Sequence, residues 1–291
     1  MGSRRSLKIA GGTLSLGDGP SVFGILNVTP DSFFDGGLHE TPRKAVDAAL
    51  RMQAAGADVI DVGGQSTRPG SVSVAADEEL RRVIPVLEAL RGRLEIPLSI
   101  DTSREEVARA ALEAGAGIIN DVSGLRESPG MAGLAAERGA AVIIMHMRGT
   151  PRDMQRSPIH YEDVVGEIRE FFEERVAFAL RSGVAEDGIV LDPGIGFGKG
   201  LEDNLNVLCH IGEFRRLGYP VLVGPSRKSF IEKIAGAPVE ERMPGTAAVV
   251  ALCVAAGVEM IRVHDVAEMK QAAQVAAAIC RIGGGKRGKE A

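Results

Sequence analysis

Short apolar runs recur along this chain, each introduced by glycine and each ending in a polar residue. The unit appears as Gly56-Ala57-Asp58-Val59-Ile60-Asp61 and again as Gly115-Ala116-Gly117-Ile118-Ile119-Asn120-Asp121. It returns as Gly139-Ala140-Ala141-Val142-Ile143-Ile144-Met145-His146 and as Gly257-Val258-Glu259-Met260-Ile261-Arg262-Val263-His264. Glycine after a helical stretch supplies the left-handed cap, and a near-continuous apolar run suits a strand buried on both faces. Similar runs at residues 22–28, 97–101, 189–192 and 221–224 bring the predicted strands to eight.

Helical patterns fill the intervals, at residues 43–55, 77–91, 104–114, 131–138, 161–182, 202–217, 246–256 and 267–281. Thr41-Pro42 is a helix-start signal for the first. Thr102 or Ser103 is expected to cap the third, with Glu105 and Glu106 in its first turn. Strict alternation of strand and helix over about 260 residues predicts a parallel sheet, and eight units fit a single closed (β/α)8 TIM barrel. An open doubly wound sheet is the alternative, but no GxGxxG follows the first strand. Residues 7–16 read as a short N-terminal hairpin closing the bottom of the barrel. The expected organisation is a disordered or extended stretch over 1–8, one domain over 9–281 and a flexible, Gly- and Lys-rich tail over 282–291.

Composition narrows the function classes. Of the 291 residues, 45% are hydrophobic and 25% charged, as in an ordinary globular protein. Lys+Arg 34 against Asp+Glu 39 gives a net charge of −5, which argues against a nucleic-acid partner. Aromatic residues are only 4%, without Trp, so stacking platforms are not expected. Cys209, Cys253 and Cys280 lie far apart and form no CxxC pair, which excludes a zinc cluster or disulfide framework and favours a reducing compartment. No apolar run approaches the roughly 20 residues of a membrane span. No signal-peptide pattern follows Arg4 and Arg5. A cytoplasmic protein without a membrane partner is the expectation.

In a barrel of this kind chemistry is built at the carboxyl ends of the strands. Here every predicted strand ends in polar groups: Asn27, Asp61, Asp101, Asn120 with Asp121, His146, Asp192, the segment from Ser226 to Lys228, and Arg262 with His264. Most lack helix-cap spacing, so together they point to one site. Arg68, Arg262 and His264 form a basic group, and Arg262 and His264, two apart on one strand, share a face about 6–7 Å apart, suited to an anion. Asp265 is expected to point away, as a structural residue. Asn27 is either a turn former or an oxygen ligand to a hydrated divalent ion such as Mg2+. Opposite the basic group, Asp101, Asn120, Asp192 and Lys228 suit the donor and acceptor edge of a planar heterocycle. Two long loops, 29–40 with Phe33 and 65–75 with Thr67, Arg68 and Pro69, have the length and glycines of closing segments.

The ordered motifs carry a family resemblance. They are Asn27-Val28-Thr29-Pro30-Asp31-Ser32-Phe33, Gly63-Gly64-Gln65-Ser66-Thr67-Arg68-Pro69-Gly70, Ile100-Asp101-Thr102 and Asn120-Asp121-Val122-Ser123-Gly124. Met145-His146-Met147-Arg148-Gly149, Leu191-Asp192-Pro193-Gly194-Ile195-Gly196-Phe197-Gly198-Lys199, Ser226-Arg227-Lys228-Ser229 and Arg262-Val263-His264-Asp265 complete them. From about Ile9 to Arg281 the chain resembles the dihydropteroate synthases, the sulfonamide-target transferases of folate biosynthesis. One departure is visible: Gln65 stands where that family usually carries Glu.

The resemblance implies condensation of 6-hydroxymethyl-7,8-dihydropterin diphosphate with 4-aminobenzoate, giving 7,8-dihydropteroate and pyrophosphate with Mg2+ assistance. It implies that Asn27 holds the metal on the diphosphate and that Arg68, Arg262 and His264 bind the phosphates. Asp101, Asn120, Asp192 and Lys228 would hold the pterin, with Asp101, Lys228 and Asp192 as catalytic residues. Met147 and Phe197 would wall the pterin pocket, and Phe33, Thr67, Pro69 and Ser229 would enclose the aminobenzoate. No Ser-His or Cys-His pair is needed, because the substrate amine is the nucleophile. A homodimer is also implied. Two alternatives share parts of this pattern. A methyltetrahydrofolate-binding methyltransferase-type barrel would not need Thr67-Arg68-Pro69 or the Arg262 and His264 pair. A non-catalytic pterin-binding paralogue would be expected to lose lid or phosphate residues.

Overall fold

All eight predicted runs are strands in a computed structural model, which describes residues 5–17, 19–29, 40–66, 70–71, 74–150, 152, 154 and 159–287. An antiparallel hairpin comes first, β1 (Arg5–Ile9) and β2 (Gly12–Leu16). The barrel strands follow as β3 (Ser21–Asn27), β4 (Val59–Gly63), β5 (Leu98–Asp101), β6 (Ile118–Asp121) and β7 (Ala141–Met145). The last three are β8 (Ile189–Asp192), β9 (Leu222–Val223) and β10 (Met260–Val263). They pair in parallel in the order β8-β7-β6-β5-β4-β3-β10-β9. A bridge between Leu191 and Val221 joins the two edges, so the sheet closes on itself. The (β/α)8 barrel is the observed architecture, and parallel register brings Asn27, Gly63, Asp101 and Asn120 side by side at one rim.

The helices are α1 (Glu40–Ala54), α2 (Ala76–Leu90), α3 (Glu105–Glu113), α4 (Met131–Arg138) and α5 (Val164–Arg181). Next come α6 (Leu201–Cys209), α7 (Ile211–Arg215), α8 (Ser229–Ala235), α9 (Met243–Ala255) and α10 (Val266–Arg287). Three differ from expectation. The single helix predicted over 202–217 is broken at His210, whose backbone leaves the helical region at φ −106° and ψ 22°. The short α8 has no counterpart among the predicted helices. Finally, α10 continues to Arg287, into the stretch expected as a tail. The α3 cap also differs. Arg104, not Thr102 or Ser103, is the flanking residue, and Glu105 N–H is satisfied from outside the helix by Ser128 Oγ at 3.2 Å.

The hairpin seals the N-terminal end of the barrel, as expected. Its alternate residues Leu7, Ile9, Leu14 and Leu16 point inward and pack on Phe23, Val59, Ile118, Ile143, Val190, Leu222 and Met260, one or more from nearly every strand. Ala10 N–H donates to Gly117 C=O at 3.0 Å, fastening the turn to the strand entrances. A second, larger apolar layer lies between the sheet and the helices. The floor makes a testable prediction. Leu7 is fully buried and Ser6 exposed. Leu7→Ala is expected to cost about 2–5 kcal/mol of unfolding free energy, the range for a truncated core leucine. Ser6→Ala, on the outer face, should change it by less than about 0.5 kcal/mol. Urea denaturation followed by circular dichroism checks both, and equal effects would remove the hairpin from the barrel core.

Candidate active site

Strand pleat decides which polar residues enter the barrel. Side chains two residues apart share a face, and Val59, Ile118 and Met260 belong to the interior floor. Asp61, Asn120 and Arg262, each two residues further on, therefore rise from the same inner face toward the rim. Asp121 has the opposite parity. Its carboxylate accepts from Ser123 N at 2.8 Å and Leu125 N at 2.9 Å, shaping the turn that follows β6.

The centre of the rim is an ionic knot. Arg262 Nε donates to Asp61 Oδ2 at 2.5 Å and Arg262 Nη2 to Asp101 Oδ2 at 2.6 Å. Asn120 Nδ2 donates to the same Asp61 oxygen at 3.1 Å. Burial works against the Arg262 charge, but the two carboxylates outweigh it and its pKa is raised. Asp101 goes the other way. Burial, opposed by Arg262 and reinforced by the neighbouring Asp61, raises it to about 7. The expectation that Arg262 and Asp101 stand on opposite sides of the site is thus corrected. They are in contact, because a cation this deeply buried needs a charged partner. Among the described residues Asp61 Oδ1, Asp101 Oδ1, Asn120 Oδ1 and Ser99 Oγ are buried without a hydrogen-bond partner. Buried polar atoms are nearly always satisfied, so a cluster of four such oxygens marks a place shaped for a ligand or water.

A glycine-rich turn after β8 forms the neighbouring wall. Asp192, buried at the strand end, accepts from Gly194 N at 2.7 Å. Burial raises its pKa to about 6 against the pull of the Gly194 N–H, Lys228, Arg262 and Lys199. Gly194, Gly196 and Gly198 have φ of 65°, 83° and 61°. A Cβ at Gly194 would stand 2.0 Å from His146 O, and one at Gly198 2.2 Å from Arg148 O, so only glycine lets this turn lie against the segment after β7. The buried Lys199 ammonium gathers the carbonyls of Gly194, Phe197 and His146 at 3.0, 3.2 and 3.3 Å and contacts His146 Nδ1 at 2.9 Å. Burial lowers the Lys199 pKa to about 7 and that of His146 to about 2, leaving the imidazole neutral. The turn presents Phe197, whose ring carries Lys228 Nζ at 4.0 Å from its centroid, and Phe197 clusters with Met147, Met145, Met154 and Val122. Lys228, Asp192, Phe197 and Met147 thus gather on this wall.

The remaining predicted residues rim this centre. His264 follows β10 and is half-buried. Ser226 Oγ accepts the His264 backbone N–H at 3.1 Å and lies 2.9 Å from Nδ1. Its own hydrogen can then go to Nδ1, an arrangement that puts the ring proton on Nε2. Asp265 points away, as expected, and takes Arg227 in a two-point ion pair that holds the turn carrying Lys228. Asn27 ends β3 half-buried, and Ser229 opens α8 exposed to solvent. Phe33, Thr67, Arg68 and Pro69 lie outside the described residues, as do residues 30–39 of the first predicted lid and 67–69, 72 and 73 of the second. The ends of the second loop are held: Arg82 Nη1 donates to Gly64 O at 2.8 Å, and Arg104 Nη2 to Val74 O at 2.5 Å.

Among the described residues no group of three His, Cys, Asp or Glu could hold a metal ion. A single Asn27 amide oxygen fits a magnesium ion carried mainly by phosphate oxygens and water, since that ion typically takes few protein ligands. Two residues acquire roles that the sequence did not assign. Asp61 was visible only as a polar strand end and Lys199 only as the close of a motif. The available signal was a carboxylate inside the otherwise apolar Val59–Gly63.

Residues 23–264 match a family model described as pterin binding enzyme. The chain is 50% identical over 261 residues to a dihydropteroate synthase of a Synechocystis species, covering 89% of this chain and 90% of that one. It is 47% identical over 256 residues to the dihydropteroate synthase of Escherichia coli, covering 88% and 90%. Among solved structures, the Xanthomonas albilineans dihydropteroate synthase with 4-aminobenzoic acid superposes with a TM-score of 0.89 at 45% identity, over 95% of this chain and 98% of that one. The Yersinia pestis dihydropteroate synthase with a sulfonamide drug gives 0.88 at 44%, over 94% and 98%. With such identity along nearly the whole barrel, the chain belongs to the dihydropteroate synthase family of pterin-binding enzymes.

Proposed function

We propose that the strand-tip cluster condenses 6-hydroxymethyl-7,8-dihydropterin diphosphate with 4-aminobenzoate, releasing 7,8-dihydropteroate and pyrophosphate. The chain is an enzyme, a transferase of folate biosynthesis by its family. The observation that carries the site assignment is the group of partnerless buried oxygens on Asp101, Asn120 and Asp61 beside Arg262. Acceptors without partners call for a ligand with several N–H donors, which an amino-pyrimidinone ring supplies. A related Xanthomonas structure holds 7,8-dihydropteroate, which carries such a ring. Asp101, Asn120 and Asp192 then bind the donor edge, Lys228 a ring acceptor, and Phe197 and Met147 the faces.

The reacting bond joins carbon to the diphosphate oxygen. Its electron pair leaves with the diphosphate, and the electron-rich reduced ring supports the positive charge left on carbon. The aminobenzoate nitrogen forms the new bond and loses a proton. A carboxylate such as Asp101 about 4 Å from that charge is worth about 4 kcal/mol at an effective dielectric near 20. Enzymes typically lower barriers by at least about 8 kcal/mol, so Asp101 alone is insufficient. The rest falls to Arg68, Arg262 and His264 on the departing phosphates, and to positioning. Magnesium on the diphosphate, held through Asn27, would supply further neutralisation of the leaving group. Phe33, Thr67, Pro69 and Ser229 enclose the aminobenzoate in this reading.

We further propose a cytoplasmic homodimer. Among the described residues no helix is long and apolar enough to cross a membrane. All three cysteines are free thiols, as a reducing compartment would keep them. Helices α9 and α10 expose Leu252, Val275, Ile279 and Ile282, an apolar face suited to a second copy.

Purified protein incubated with the pterin diphosphate, 4-aminobenzoate and magnesium should yield dihydropteroate and pyrophosphate, seen by chromatography. Product absent under all conditions would favour a non-catalytic pterin binder. Asp101→Asn should lower kcat by about 10²–10³, the rate equivalent of 3–4 kcal/mol at about 1.4 kcal/mol per decade, with a much smaller change in KM. Because Asp101 acts ionised and is raised to about 7, wild-type turnover should fall as pH drops from 8 through 7 toward 6. That acid limb should change in the variant, and steady-state kinetics across pH check both. A kcat near wild type would end the cation-stabilising role. Asn27→Ala should raise the magnesium concentration for half-maximal activity, and an unchanged titration would remove Asn27 from the metal.

A further inference from the structure

We propose that Asp61 is a specificity-determining positioning residue of the pterin subsite: it turns the Asn120 amide so that the carbonyl, not the NH2, meets the ligand. The proposal rests on the functional reading above and deepens it. Asp61 is fully buried on the inner face of β4, where its Oδ2 takes both Asn120 Nδ2 at 3.1 Å and Arg262 Nε at 2.5 Å. An ionised carboxylate only accepts hydrogen bonds, so the end of the Asn120 amide facing it must be the donor. The Asn120 oxygen is thereby aimed away from Asp61, and it is buried without a partner among the described residues.

This matters because an asparagine amide is ambivalent. Its two ends are nearly equal in size and opposite in hydrogen-bonding sense. Unrestrained, Asn120 could present NH2 to a ring carbonyl as readily as oxygen to a ring N–H. With Asp61 behind it, only the second is open. Asp101 Oδ1 is also a partnerless acceptor, so the subsite faces its ligand with acceptors on two adjacent strands. A ring with an exocyclic amino group and an adjacent N–H satisfies both. A ring with a carbonyl in place of the amino group would set lone pair against lone pair. Sites whose buried polar groups would be left unpaired reject such analogues strongly. By gripping Arg262 through the same oxygen, Asp61 also keeps the guanidinium beside the pocket.

Asp61→Asn removes the one-way constraint while keeping size, because the new side chain can both donate and accept. The KM for the pterin diphosphate should rise about tenfold or more, with the KM for 4-aminobenzoate within about twofold of wild type. The exchange variant Asp61→Asn with Asn120→Asp restores a one-way bond in reverse and again presents an acceptor to the ligand. It should bring the pterin KM back to within about threefold of wild type. A pterin KM unmoved by Asp61→Asn would overturn the proposal, as would both KM values rising together or an exchange variant no better than the single one. A nuclear magnetic resonance measurement on wild-type protein without ligand needs no variant to fold. The Asn120 side-chain NH2 protons should exchange slowly with solvent, and rapid exchange would overturn the proposal. If wild type makes no dihydropteroate, the functional reading fails, while the exchange measurement still decides whether Asp61 holds Asn120.

Discussion

A guanidinium held between two buried carboxylates is the interaction on which the rest of this site depends. Arg262 sits on β10, yet its partners Asp61 and Asp101 are on β4 and β5, neither of them a neighbour of β10 in the sheet. The bonds therefore cross the barrel interior instead of following the ladder. Three ionic groups taken out of water would be costly without such pairing, and removal of any one strands the others. The balance of two acids and one base also leaves the knot short of positive charge. That deficit, on top of burial, is why Asp101 titrates near 7, and it is what a carbocation or a cationic ring would relieve.

The knot needs a wall at a definite distance, and the turn after β8 supplies it. Gly194 and Gly198, at positive φ, let backbone lie on backbone, and a buried ammonium then neutralises the converging carbonyl dipoles. Lys199 thus does for this turn what Arg262 does for the strand tips: one cation at the focus of several acceptors. The Phe197 ring carried on the turn meets Lys228 face-on, a cation–π contact. Asn204 adds a further lock, accepting from Gly196 N at 2.6 Å and donating to Lys199 O at 3.2 Å.

Local periodicity made much of this legible. Continuous apolar runs, glycine stops and polar strand ends predict eight strands, their parallel order and the rim that carries chemistry. Legibility failed where the deciding force is not local. The external cap on α3 from Ser128 depends on a partner 23 residues further along the chain. Asp61 illustrates the limit most sharply. In sequence it is one acid in an apolar strand, and its partner Arg262 lies 201 residues away. Charge pattern alone groups Arg262 with His264 as a basic pair. Desolvation reassigns it, because at the depth of the second interior layer a lone cation must find carboxylates before it can serve a phosphate.

That layering explains how one barrel holds both an apolar floor and an underpaired site. Moving two residues along a strand changes the interior from hydrocarbon to charged or polar groups: Val59 to Asp61, Ile118 to Asn120, Met260 to Arg262. The hairpin adds four buried aliphatic side chains to the lower layer alone. Ser99 stands at the boundary, with a buried hydroxyl that has no partner. Stability can therefore be concentrated where no ligand reaches, and the unsatisfied oxygens kept where one does. A barrel with a polar floor would have to satisfy its own acceptors there, and the donors that saturate them would compete with the ligand's. The apolar lower layer is what allows the upper one to remain incomplete until substrate arrives.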